Sequence, residues 1–178
     1  MTSQTSLPDL RQQLPALGTA VEQALARARA RGADAAQAQI GLRVGYSVGV
    51  RGGDIETLEH ERDRGLGITV YFHGRKGGAS PTDLRVEAIE AAVNAACDLA
   101  QHTEADPAAG LPEPELLAWN APDLDLYHPW DMPPALAIER ALAMEAAALA
   151  ADPRLRQSGG GGPQTAPGVP VAGDSAGV

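Results

Sequence analysis

The sequence predicts an α+β fold in which an antiparallel meander of three to four strands is covered by helices in a two-layer sandwich. Three segments repeat apolar residues at helical spacing, and a stretch between the first two alternates apolar with other residues. The C-terminus, residues 157–178, differs because it contains seven glycines and three prolines. This composition predicts a flexible Gly/Pro-rich C-terminal tail after a domain that covers residues 1–156.

The first predicted helix runs from about Asp9 to Arg31. Pro15 interrupts its start, so the regular part is expected to begin there, and Gly32 follows as a C-terminal cap. Helical spacing places the apolar residues on one side, which is typical of a helix that covers a core. This face consists of Leu14, Leu17, Val21, Leu25 and Ala28.

The first two predicted strands form a hairpin. Residues 40–51 alternate in the way that buries one face of a strand, and Gly52–Asp54 supplies a tight turn. Ile55–Glu61 is the second strand, and its charged end favours a position close to a sheet edge. We expect Arg62–Gly65 to turn the chain again. The buried face of the first strand is predicted to be Ile40, Leu42, Val44, Tyr46, Val48 and Val50.

The third predicted strand is short and apolar on one side, and the fourth, Lys76–Ser80, can pair back on it. The apolar side of the third strand is Leu66, Ile68, Val70 and Phe72.

A second helix is predicted to begin after Pro81–Asp83, because acidic residues occupy its first turns and an apolar stripe follows. The segment from Asp106 to Pro134 contains seven prolines and is predicted to be an ordered but irregular crossing. A last helix follows from about Pro134 to Ala151, with Ile138, Leu142 and Leu149 on one side. The stripe of the second helix is Val86, Ile89, Val93, Ala96, Cys97 and Ala100.

Composition excludes several classes of function. A net charge of −9 argues against a nucleic-acid ligand, because such a ligand requires a basic face. The single cysteine, Cys97, excludes an internal disulfide and fits a reducing compartment. The sequence shows no secretory leader and no run of about 18 apolar residues, so we expect no membrane partner and a cytoplasmic location.

A glycine-rich basic cluster, residues 74–78, is the strongest candidate for chemistry. It lies between a strand and a helix, where glycine loops often bind phosphate. The order of residues does not match a P-loop or a dinucleotide-binding fingerprint, so a turn with solvated basic side chains is favoured. Anion or nucleotide binding by the 74–80 loop remains as an alternative, with Arg75, Lys76, Gly77 and Gly78 as its residues.

The sequence predicts neither a metal site nor a catalytic group. His60 and Glu61 begin like a zinc-peptidase motif, but no second histidine follows at the required spacing. The remaining histidines are scattered, and Cys97 lies on an apolar helix face, where a free cysteine behaves as a small hydrophobic residue. We therefore expect no catalytic, cofactor-binding or metal-binding residues in this chain.

Two stretches carry a family resemblance. "GLGITVYFHGRKGGASPTDL" and "EAAVNAACDLAQHTEADPAAGLPEPELLAWNAPDLDLYHP" resemble the N-terminal domain of the TldD/PmbA family, also called modulator of DNA gyrase. The entry "TDL" and the crossing "ADPAAGLP…PDLDLYHP" are similar to the PmbA (TldE) branch. The resemblance covers roughly residues 24–151.

The resemblance implies a cytoplasmic two-subunit metalloprotease that cleaves peptides and unfolded segments. Its zinc belongs to a TldD-type partner, and the PmbA-type subunit lacks the ligands. The expected partners are that TldD-type subunit, self-association as an alternative, and peptide substrates reached through the complex. We expect this chain to lack the family's C-terminal domain, and residues 157–178 keep the spacing of the family's next strand pair with weaker strand residues.

Three functions are therefore expected as alternatives. The first is a non-catalytic scaffold domain of a PmbA-type subunit, the second an inactive remnant of a truncated gene, and the third a small anion-binding or nucleotide-binding protein. The first two share a fold, whereas the third requires a working 74–80 loop.

Overall fold

The computed structural model describes residues 9–117, 122–125, 127–128, 130, 132–156, 164–165 and 168–175. Its elements follow the predicted order of helix, strands, helix, crossing and helix. Two further strands come after the last helix. The elements are a 3-10 turn (Leu10–Gln13), α1 (Leu14–Ala30), β1 (Ala35–Arg51), β2 (Asp54–Phe72), β3 (Arg75–Ala79), α2 (Val86–His102), a 3-10 turn (Pro114–Leu116), α3 (Pro134–Ala151), β4 (Gln164–Thr165) and β5 (Gly168–Asp174).

The strands form one sheet in the order β3-β2-β1-β4, and β5 also pairs with β1. β2 and β3 are antiparallel, and their register runs from Ile68 opposite Ala79 to Phe72 opposite Arg75. β1 and β4 are antiparallel as well, with Tyr46 opposite Thr165. The predicted α+β class with an antiparallel sheet is confirmed. No helix in the described part of the chain is long and apolar enough to cross a bilayer.

The predicted turn at Arg62–Gly65 is wrong, because the second and third predicted strands are one continuous strand, β2. Residues 62–65 are exposed, and Gly65 is not among the glycines with a positive φ. Their polar character therefore reflects exposure to solvent along an extended strand. The true turn at Gly52–Gly53 has φ angles of 63° and 84°, as the tight hairpin prediction required.

The chain divides into two compact units. The α1–α2 unit comprises Leu10–Leu42, Arg64–Asp125 and Val169–Val178. Here α2 packs on β3 and α1 packs on α2. The predicted apolar stripe of α2 is buried, with the exception of Val86, which is 47 % exposed. The buried side chains of this unit include Leu17, Val21, Leu25, Ile40, Leu42, Leu66, Ile68, Val70, Ile89 and Val93.

The α3 unit comprises Met1–Asp9, Arg43–Asp63 and Leu126–Gly168. Its core is smaller and consists of Tyr46, Val48, Val50, Met132, Ala137 and Ala141. The predicted face of α3 is shifted, because Ala137, Ala141 and Glu145 are its buried residues, while Ile138 and Leu142 are partly buried. Small alanine side chains form the centre of the contact, and the larger residues flank it.

The C-terminal tail was expected to be flexible throughout. Two parts of it instead form strands, namely β4 (Gln164–Thr165) and β5 (Gly168–Asp174). Ser175 fixes the end of β5 because its N–H donates to the Ala36 carbonyl at 2.8 Å and its hydroxyl accepts from the Ala36 N–H at 2.9 Å. A Cβ on Gly173 would lie 3.0 Å from Val21, so this strand passes close to α1. The other tail residues lie outside the described part of the chain.

Candidate functional site

The glycine-rich cluster is part of the sheet. Arg75, Lys76, Gly77 and Gly78 lie in β3, and their strand pairs with residues 69–72 of β2. The turn before β3 is formed by His73 and Gly74, whose φ angles are 50° and 75°. Two successive positive φ angles are typical of a two-residue hairpin turn. The backbone groups that would surround an anion are therefore part of a hairpin.

Two aspartates hold this turn. The Asp34 carboxylate accepts a hydrogen bond from the His73 N–H at 2.5 Å, and His73 Nδ1 lies 3.1 Å from the same carboxylate. On the other side, the Asp106 N–H donates to the Gly74 carbonyl at 2.8 Å. A Cβ at position 74 would lie 2.8 Å from the Asp106 carbonyl oxygen, so glycine is required for contact as well as for φ.

The cluster lies beside the C-terminal end of α2. A guanidinium nitrogen of Arg75 donates to the Gln101 carbonyl at 3.3 Å, and the Thr103 hydroxyl donates to the Lys76 carbonyl at 3.1 Å. A helix C-terminus carries partial negative charge and attracts cations. Arg75 therefore donates to one carbonyl at the helix end, and the geometry does not favour an anion here. The anion-binding alternative remains an untested prediction.

A polar groove of about 400 Å³ lies beside the cluster, on the strands of the α1–α2 unit. None of its lining residues is charged, and the glycines leave room between longer side chains. The Gln39 side chain lies over Gly67, where a Cβ would be 3.5 Å from Gln39 Cγ. The lining consists of Gln37, Gln39, Gly67, Ile68, Thr69, Gly78, Ala79 and Ser80.

The groove has the chemistry of a contact surface. Its amide and hydroxyl groups can donate and accept hydrogen bonds, but they include no general base and no activated nucleophile. Of the four residues named for the anion-binding alternative, only Gly78 lines the groove, together with Ala79 and Ser80 of the same loop. Sequence reasoning missed Gln37 and Gln39, which precede the stretch where the first strand was predicted to begin. The signal was present, since Ala36, Gln37, Ala38 and Gln39 already alternate between small apolar and polar residues.

Three of the four histidines lie on different elements: His60 on β2, His73 in the turn before β3 and His102 at the end of α2. His60 is exposed on β2, and His102 Nδ1 lies 2.8 Å from the Asp98 carbonyl oxygen. His73 contacts Asp34 in the turn already described. No group of three His, Cys, Asp or Glu side chains in the described segments could hold a metal ion.

Cys97 is fully buried on α2. Burial raises the pKa of its thiol above the usual value, because the thiolate would lose its hydration. A protonated, inaccessible thiol is a poor nucleophile, so the structure assigns Cys97 to packing. This confirms the prediction that it behaves as a small hydrophobic residue.

Comparisons with known proteins agree with the fold and the sequence pattern. Residues 42–100 match the family model described as PmbA/TldA metallopeptidase domain 1. The chain is 45% identical over 163 residues to "Metalloprotease PmbA" of Escherichia coli O157:H7, which covers 92% of this chain and 35% of that protein. A "Metalloprotease PmbA homolog" of Haemophilus influenzae is 44% identical over 134 residues, covering 75% of this chain and 30% of the homolog.

Solved structures share the architecture. A Bacteroides thetaiotaomicron protein described as a modulator of DNA gyrase superposes with a TM-score of 0.77 at 24% identity, covering 90% of this chain and 37% of that one. TldE from Thermococcus kodakarensis gives 0.68 at 17% identity, covering 89% of this chain and 35% of that one. These likenesses define a first domain of a metallopeptidase family. The chain contains an N-terminal domain of the PmbA/TldD family, and it spans about a third of the length of the curated relatives that it matches.

Proposed function

We propose that this chain is a non-catalytic scaffold domain of a PmbA/TldE-type subunit that works within a cytoplasmic metalloprotease complex. The observation that carries the proposal is the 45% identity to a metalloprotease PmbA over nearly the whole chain. The described residues support a structural role, because their polar side chains serve turns, helix ends and a neutral groove.

In this proposal the chemistry belongs to a TldD-type partner, which would hold the zinc. The scaffold contributes surfaces, and the uncharged groove beside β3 fits contact with a polypeptide, because amide and hydroxyl groups can bond to a neutral backbone. The substrates of the complex would be peptides and unfolded segments.

The first experiment separates a scaffold from an enzyme. The purified chain is assayed for zinc content and for cleavage of casein and short peptides, with and without a chelator. We expect no stoichiometric zinc and no cleavage. Stoichiometric zinc together with chelator-sensitive cleavage by the chain alone would overturn the non-catalytic assignment.

The second experiment separates a working scaffold from an inactive remnant. A tagged copy of the chain is used to capture a TldD-type protein from the same organism, and the captured complex is tested for peptidase activity. We expect co-purification in a defined ratio. A folded chain that captures no TldD-type protein at micromolar concentrations would favour the remnant.

A further inference from the structure

The polar groove beside β3 lies on a sheet face where exposed and buried residues alternate. On β1, Gln37 and Gln39 are exposed and alternate with Ala36 and Ala38, which are buried. Alternate residues of a strand project from the same face, so the two glutamines lie side by side at a spacing of about 7 Å. The groove has a volume of about 400 Å³, which is within the range of ligand-binding clefts.

The polar side chains of the groove have unused hydrogen-bonding capacity. They are the amides of Gln37 and Gln39 and the hydroxyls of Thr69 and Ser80. Within the described part of the chain, none of these four side chains makes a hydrogen bond or an ion pair. The Asn94 amide of the same unit differs, because its oxygen accepts hydrogen bonds from two arginines. The groove therefore presents donors and acceptors that are free to bind another molecule.

Glycines form the floor between these side chains. Gly67 and Gly78 lie within β2 and β3, and neither has a positive φ that would require glycine. A strand glycine of this kind often marks a place where another backbone approaches closely. A Cβ at Gly78 would have one described neighbour within 4 Å, the Ile68 carbonyl oxygen at 3.4 Å. The space above this position is therefore open.

We propose that this groove binds an extended, uncharged polypeptide segment that is rich in amide and hydroxyl side chains. An extended segment repeats every two residues over the same distance that separates Gln37 from Gln39, so both amides meet equivalent positions of the segment. Each glutamine amide carries two donors and an acceptor, and it can bond a peptide N–H and C=O together. The glycine floor leaves the space that the backbone of the segment occupies.

The lining does not suit other classes of ligand. It contains no cation for an acidic segment or a phosphate, and no carboxylate for a basic segment. It also contains no aromatic ring on which a nucleobase would stack. The net charge of −9 on the chain adds a longer-range repulsion of acidic segments. The chemistry of the groove therefore favours a neutral segment.

The inference deepens the proposed scaffold role and rests on it for its purpose, which is to hold a segment while a partner subunit cleaves it. Binding of the segment is measured with the chain alone, and capture of a TldD-type protein tests the scaffold role. A chain that captures the partner but binds no segment would contradict the groove assignment only. A chain that binds the segment but captures no partner would contradict the scaffold role only.

The first test is fluorescence anisotropy with a labelled, end-blocked decapeptide of alternating glutamine and serine. We expect saturable binding with a Kd below about 100 μM. The double variant Gln37→Ala, Gln39→Ala should raise the Kd at least about tenfold, because two hydrogen-bonding amides are lost. The control Gln101→Ala removes an exposed amide of α2 outside the groove, and its Kd should stay within about twofold of the wild type.

The second test fills the floor of the groove. Gly78→Val places a β-branched side chain, which suits a strand, in the open space, and it should abolish binding at up to about 1 mM peptide. Urea denaturation checks that this variant is folded, and the exposed glutamine positions decide the question if it is not. A decapeptide of alternating glutamate and serine should bind the wild type at least about tenfold more weakly than the neutral one.

Four results would contradict the proposal. They are no saturable binding of the neutral decapeptide at about 1 mM, equal weakening by Gln101→Ala, unchanged binding by a folded Gly78→Val chain, and equal affinity for the acidic decapeptide. Sedimentation equilibrium adds a fifth, which is a wild-type dimer that Gly78→Val dissociates, because a second copy of the chain would then occupy the groove.

Discussion

The two compact units use different means to stabilise the same pair of long strands. In the α1–α2 unit, α2 approaches β3 so closely that a Cβ on Gly77 would lie 2.0 Å from the Ala96 carbonyl oxygen. In the α3 unit the core is small, and polar contacts supplement it. The buried Glu145 carboxylate accepts hydrogen bonds from the Gly52 and Gly53 N–H groups at 2.9 and 2.8 Å.

The difference shows how a chain with only six aromatic residues obtains two stable helix-on-sheet contacts. Where branched aliphatic residues are abundant, close steric fit suffices. Where alanine dominates, as on α3, less apolar area is available, and hydrogen bonds donated by the turn to one buried carboxylate fix the hairpin turn to the helix. The two units should therefore respond to different substitutions.

Gly77→Ala should have the largest effect. The added methyl group would meet backbone atoms of Ala96 and Ala100, which cannot move without shifting α2, so we expect a loss of about 3 kcal/mol in the free energy of unfolding. Gly78→Ala is the matched control on the same strand, because its Cβ would lie 3.4 Å from the Ile68 carbonyl oxygen. Urea denaturation of both variants checks this, and equal stabilities would show that steric fit does not govern this unit.

Glu145→Ala should have the next largest effect. It removes the acceptor of two turn N–H groups, so we expect a loss of about 2 kcal/mol and faster hydrogen exchange at Gly52 and Gly53. Glu139→Ala changes an exposed carboxylate on the same helix and should alter stability by less than about 0.5 kcal/mol. Unchanged hydrogen exchange at Gly52 and Gly53 in Glu145→Ala would show that this carboxylate does not stabilise the turn.

Tyr46→Phe should have a smaller effect, also in the α3 unit. The Tyr46 hydroxyl donates to the Met132 carbonyl inside the core, and its removal leaves that carbonyl with one partner fewer. We expect a loss of about 1 kcal/mol, measured by thermal unfolding. An increase in stability would indicate that burying the hydroxyl costs more free energy than its hydrogen bond returns.

The smallest effect concerns acid stability in the α1–α2 unit. Hydrogen bonds from the Arg85 side chain and backbone lower the pKa of Asp83 below its usual value. A carboxyl whose folded pKa is lowered stabilises the fold above its unfolded pKa, and this contribution is lost as the pH falls through the folded pKa. Asp83→Asn should therefore slightly reduce the fall in Tm between about pH 5 and pH 2. A steeper fall in the variant would contradict the assignment.

Periodicity predicted the helices and the first strand, because apolar spacing reports directly which face is buried. It failed at Arg62–Gly65, where an exposed strand edge has the same polar composition as a turn. It also did not predict β5, which lies in the segment expected to be flexible. Gly173 of this strand fits against Val21 and Leu25, and local composition does not reveal such a tertiary contact. The Glu145 contact was not predictable for the same reason, since it joins residues about ninety positions apart.

The groove also combines features that the sequence pattern predicts with contacts that it does not. The pattern of the glycine-rich segment identified the region and the family, but the segment's basic residues serve β3 and the end of α2. The side chains that line the groove come from three strands, and only the folded register brings Gln39 over Gly67. A single-sequence pattern cannot supply that register.

Because Cys97 is buried, its reaction with a thiol reagent reports local unfolding of the chain. Its sulfur can react with a thiol reagent only after α2 separates from its neighbours, so the rate of labelling under native conditions counts such openings. Because this is the single cysteine of the sequence, one mass shift reads that rate without a mutation. If labelling is faster in Gly77→Ala but not in Glu145→Ala, the α1–α2 unit opens without opening of the α3 unit.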